Sequence, residues 1–136
     1  MARDLSPLLE AWLRYQRTTN HADFWAVQRM SEIVAREQSA EAAWAVVSAL
    51  IARAPDDLLG AVAAGPLEDL VSYFAPELID RIETAARRDP RTRSALARIW
   101  ITHGTLPRDV ERRIVAASNG GIRPLAGAKR HWHRRP

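Results

Sequence analysis

Residues 39–54 read SAEAAWAVVSALIARA, and the period of that stretch decides the fold. Trp44, Val47 and Ile51 recur at helical spacing, and Ala43, Val46, Leu50 and Ala54 widen the same side. A half-buried strand would alternate with period two, and this run does not. Ser39 supplies a side-chain oxygen for an orphan N–H, and Glu41 suits the positive end of the helix dipole. A helix apolar over so much of its girth is expected at the centre of a domain.

The same period extends in both directions. Towards the N-terminus, Ser6-Pro7 predicts a helix start, followed by Leu8, Leu9, Trp12 and Leu13 on one face and a fade near Thr18-Thr19-Asn20. A second helix is expected from His21-Ala22-Asp23, with Phe24, Val27, Met30, Ile33 and Val34 as its stripe and a Glu32–Arg36 pair on its wet side. Towards the C-terminus, Pro55-Asp56-Asp57 opens a short helix that Gly65 is expected to end and Pro66 to follow with a new one. Pro76 is read as another break, followed by Leu78, Ile79, Ile82, Ala85 and Ala86, with a Glu83–Arg87 pair. Asp89-Pro90 starts a helix expected to run through Leu96, Ile99 and Trp100 until His103-Gly104-Thr105. A last helix spans about 108–118, and Asn119-Gly120-Gly121 is a strong stop.

The fold class is therefore all-α: a single compact domain of about seven to eight short helices, either a bundle or stacked helical pairs. Its expected bounds are 1–118, with a basic, flexible tail over 119–136. A chain of 136 residues buries roughly two thirds of its unfolded surface and needs no metal or disulfide to fold. The absence of cysteine excludes a disulfide framework, a thiolate zinc site and a cysteine nucleophile. With no signal-peptide core and no membrane-length apolar run read in the sequence, the chain is expected in the cytoplasm and off the membrane.

The net charge of +4 conceals a division. Residues 1–86 hold 7 Arg against 13 Asp and Glu, a balance of −6, whereas residues 87–136 hold 13 Lys and Arg against 3 acids, a balance of +10. Such asymmetry suits a polyanion or charge-matched self-association.

The stretch Ala64-Gly65-Pro66-Leu67-Glu68-Asp69-Leu70 resembles an uncharacterised bacterial family, the domain of unknown function 6869 family. Trp12-Leu13-Arg14-Tyr15, Phe24-Trp25, Ala43-Trp44, Ala54-Pro55-Asp56-Asp57, Ile79-Asp80-Arg81-Ile82-Glu83, Arg88-Asp89-Pro90-Arg91 and Ile99-Trp100 extend the likeness over about residues 8–115. The resemblance implies a helical fold and supplies no activity.

Candidate site residues fall into two groups. Glu68 and Asp69 sit at the expected helix start, where Gly65 would cap, Pro66 would take the first position and Glu68 would reach back to the cap. The alternative puts one of them in a groove facing a cationic group, with Glu68 the better placed. Trp12, Trp44 and Trp100 are expected in the core, while Trp25 and Tyr15 lie to the side of their stripes and are candidate partner anchors. The second group is basic: Arg87, Arg88, Arg91, Arg93 and Arg98 around one inter-helix turn, and Lys129, Arg130, Trp132, Arg134 and Arg135 in the tail, as polyanion contacts. His131 and His133 alone make a poor metal site, and His21 and His103 are read as helix-end residues. No catalytic constellation, metal site or cofactor motif is read in the sequence. The expected role is a non-catalytic protein-interaction module with an unknown protein partner or a second copy of itself; nucleic acid is the alternative partner.

Overall fold

The structure, a computed structural model, describes residues 4–119, 121 and 122. Seven α-helical segments, α1 Ser6–Thr18, α2 Phe24–Ser31, α3 Ala40–Arg53, α4 Leu59–Val62, α5 Glu68–Arg88, α6 Pro90–Leu96 and α7 Arg108–Ala117, make an all-α domain with no strand among the described residues. They form six rods, one fewer than the low end of the expected count, because α4 and α5 belong to a single continuous helix.

Most expected starts hold. Ser39 Oγ accepts from the N–H of Ala42 at 3.1 Å, and Asp89 Oδ1 accepts from Arg91 at 3.1 Å ahead of α6. The start of α1 differs in detail: Asp4 Oδ1 accepts from the N–H of Ser6, while Ser6 Oγ accepts from Arg53.

The breaks expected at Gly65-Pro66 and at Pro76 are absent. Between α4 and α5, residues Ala63–Leu67 form one wide π-turn, in which the N–H of Glu68 reaches back five residues to Ala63. Pro66 explains the slip: it has no N–H to donate, and its ring would strike the carbonyl four residues back in a regular ladder. Buried Val62, Ala63, Leu67 and Leu70 hold the rod on the core through the slip. Pro76 is exposed beside exposed Ser72 and Tyr73, where water can serve the freed carbonyl, so the helix continues past it. Glu32–Arg36 form a second π-turn, which extends α2. The expected Glu32–Arg36 pair gives way there to Arg29 with Glu32 and Glu37.

Helix α5 is the hub, packed against α3, α6, α7 and the wide turn of α2. Helix α3 shares the centre with it through buried Ala43, Val46, Val47, Leu50 and Ile51, yet leaves Ala45 and Ala52 exposed. Ion pairs tie distant elements. Arg14 forks onto both oxygens of buried Asp23, and its donated bonds hold that carboxyl below the ordinary range. Arg113 on α7 grips Glu83 and Asp80 on α5 and replaces the expected Glu83–Arg87 pair.

Helix α6 stops at Leu96, short of the expected Trp100. Three-residue bonds from Arg98 to Ala95 and from Ile99 to Leu96 close it. Ile99 and Ile101 then turn inward and Trp100 outward, so Trp100 is 64% exposed and is not a core residue. Past the expected boundary at 118, Ile122 is buried and its N–H bonds Ser118 Oγ.

One helix among the described residues, Asp56–Arg88, is long and apolar enough by length and composition to cross a membrane. Half of its most apolar window is buried inside the domain, as in the core helix of a folded protein.

Candidate functional site at the wide turns

The most distinctive stretch of the sequence folds into a cleft wall. Ala64, Gly65 and Pro66 of one π-turn face Met30, Ser31 and Val34 around the other, and Trp12 of α1 completes a cleft of about 470 Å³. Both helix widenings thus border the same space. A π-turn costs hydrogen-bond quality and is found often at functional sites. A Cβ built on Gly65 would meet nothing within 4 Å, so the cleft stands open above its backbone.

Asp69 is the charged residue on that wall. It is half-buried, and burial first and the neighbouring Glu68 second push its carboxyl above the ordinary range. No hydrogen bond or ion pair engages it among the described residues. Glu68, expected to be the better placed to face a groove, is turned elsewhere. Its Oε2 accepts the N–H of Trp100 at 3.0 Å and fastens the segment after α6 to the start of α5. The adjacent carboxylates therefore have separate tasks, one latching the fold and one facing the cleft. The capping box is absent, because the helix does not begin there.

The lateral aromatics stand apart from this cleft. Trp25 on α2 is 47% exposed, as its position off the stripe suggests. Tyr15 is half-buried, with its ring centroid 5.5 Å from that of Phe24. Trp12 was assigned to the core and is buried, and it also lines the cleft. No local pattern marks that second role, because a cleft-lining face and a core face share one helical period.

The basic residues divide by what they touch. Arg91 donates from Nε to the Ile51 carbonyl and from Nη1 to Asp56, pinning α6 to the end of α3. Arg93 donates to the Ala86 carbonyl at 2.6 Å. Arg87 reaches Thr84 and, with Arg93 and Glu83, borders a shallow cleft of about 250 Å³. Arg88 and Arg98 are exposed. Lys129, Arg130, Trp132, Arg134 and Arg135, with His131 and His133, lie outside the described residues. No cluster of three metal-ligating side chains occurs among the described residues.

Neither the curated proteins nor the solved structures contain a match to this chain. A family model does match, over residues 14–122, a span that holds both wide turns, Asp69 and the Glu68 latch. The chain belongs to the family of unknown function DUF6869.

Proposed function

We propose that this domain is a non-catalytic protein-interaction module of the bacterial cytoplasm, and that the Asp69 cleft receives a Lys or Arg side chain of its partner. The half-buried, unpartnered Asp69 carboxylate carries the reading. A carboxylate withdrawn from water raises the free energy of the domain until a cation joins it. Trp12, Val27, Met30 and Val34 offer apolar walls for the aliphatic stem of such a side chain. Exposed Trp25, elsewhere on the helix that contributes Val27 and Met30, supplies a second anchor outside the cleft. A second copy of the chain has the right chemistry, since residues 87–136 carry +10 against −6 for the rest.

Light scattering of the full chain across concentration and salt, with Asp69→Asn alongside, is the test. Association should appear at low salt and weaken about tenfold in the variant, the equivalent of about 1.4 kcal/mol. The circular dichroism of the variant should stay that of the parent. A chain that remains monomeric throughout removes the second copy as partner. If short peptides pairing Arg with apolar residues also fail to bind, the whole reading falls.

A second reading, nucleic-acid association, is favoured by exposed Arg87, Arg88, Arg98, Arg108 and Arg112, none of which pairs with a carboxylate among the described residues. Arg91 and Arg93 leave that set because each is held by hydrogen bonds inside the domain. Binding would fall with salt, and each exposed arginine removed would flatten the salt slope by about one. Labelled DNA and RNA left unshifted at low salt would end this reading.

A further inference from the structure

A second cluster, remote in sequence from Asp69, joins the turn before α7 to the helix itself. Residues 102–105 make a tight turn: the N–H of Thr105 donates to the Thr102 carbonyl, and Gly104 takes φ +92°, a conformation that favours glycine. Arg108, Glu111 and Arg112 follow at i, i+3 and i+4, which puts them on one face of α7. Glu111 is only 7% exposed, and the turn engages both of its oxygens. Oε2 lies 2.5 Å from His103 Nδ1, and Oε1 accepts the N–H of Gly104 at 3.3 Å.

This contact orients the imidazole. An ionised carboxylate only accepts, so Nδ1 carries the hydrogen and Nε2 is left on the far side of the ring. His103, Glu111, Arg108 and Arg112 line a cleft of about 490 Å³. Neither guanidinium forms a hydrogen bond or ion pair among the described residues. Two uncommitted guanidinium groups and a fixed imidazole therefore border one space, while the acid among them is already occupied.

We propose that this cleft binds a phosphate monoester group, with Arg108 and Arg112 on its oxygens and His103 Nε2 sharing its remaining proton. Guanidinium forks match the spacing of phosphate oxygens. A monoester exchanges its second proton near pH 6, so it can meet the ring either as P–OH or as the dianion. In either arrangement a hydrogen bond spans Nε2 and a phosphate oxygen: P–OH donates to the neutral ring, or the imidazolium donates to the dianion. A phosphodiester has no such proton and only one charge, which separates this site from a nucleic-acid backbone contact.

The test follows the imidazole resonances of His103 by NMR while the full chain is titrated with phenyl phosphate and inorganic phosphate. Dimethyl phosphate and sulfate serve as comparisons at matched ionic strength. Saturable shifts with both monoester-type probes, at least tenfold weaker with the other two anions, are expected. Arg108→Met and Arg112→Met should each weaken binding tenfold or more with an unchanged melting temperature, since neither side chain holds the fold. His103→Gln, followed through the backbone amide resonances of Arg108 and Arg112, should lose the preference for phosphate over sulfate. Equal affinity for all four anions, no saturable shift, or undiminished binding in both arginine variants would overturn the proposal.

Discussion

Asp69 works against the stability of the domain that holds it. Burial and Glu68 raise its folded carboxyl above the value in an unfolded chain. The sign follows from linkage: a group with a raised folded pKa stabilises fully below its unfolded pKa, and that contribution is lost as pH rises through the folded one. Asp69→Asn should therefore melt at a higher temperature than the parent at pH 7, with the gap closing as pH falls towards 4. Thermal denaturation across that range reads it, and a variant less stable at pH 7 would show Asp69 to be a structural partner instead. Gly65→Ala should lower stability in urea denaturation, because Pro66 disfavours helical backbone at a preceding residue that carries a Cβ. Its methyl group, meeting nothing within 4 Å, projects into the cleft and should weaken association in the same variant. Which of Glu68 and Asp69 faces the cleft was not legible in the sequence. Cap rules are local, and read Gly-Pro-Leu-Glu as a beginning. Only the packing of Val62, Ala63 and Leu67 shows the helix already under way, and that sets the direction of each side chain.

Helices were legible where one side chain settles the matter, as at Ser39 and Asp89. They were less so where the end is decided by packing. The end of α6 is such a case, since Ile99 continues the helical stripe of Leu96, and only buried Ile101 beside exposed Trp100 marks the change of period. Pairings between elements were the least legible. The sequence offers Arg87 four residues from Glu83, but Arg113, thirty residues on, takes both of its oxygens. Its donated bonds hold the Glu83 carboxyl below the ordinary range. That stabilisation is complete above the unfolded pKa and fades as pH falls through the folded one. Arg113→Met should loosen α7 from α5 and lower the melting temperature most near neutral pH. The difference should shrink as pH falls through the lowered folded value of Glu83. A deficit independent of pH would assign the loss to packing alone.

At the scale of the molecule, the opposed charges of the two halves were plain in the sequence, but the limit of the folded body was not. Gly121 and Ile122 belong to it, and there glycine is a matter of space: a Cβ at Gly121 would lie 2.5 Å from the Ala97 methyl. That methyl has no rotamer by which to withdraw, so Gly121→Ala should cost about 1–3 kcal/mol by denaturant unfolding, as overpacked sites do. A neutral result would detach the segment from the core. The two wide turns have a further consequence. Amide protons exchange with solvent water at a rate set by how often each bond opens, and a slipped ladder opens more readily than a regular one. The amides of 32–37 and 63–68 should therefore take up deuterium ahead of the regular turns of α3 and α5. Occupation of the space between them should slow both groups together, although twenty-five residues of chain separate them. Mass spectrometry can then report when the cleft is filled before its occupant has been identified.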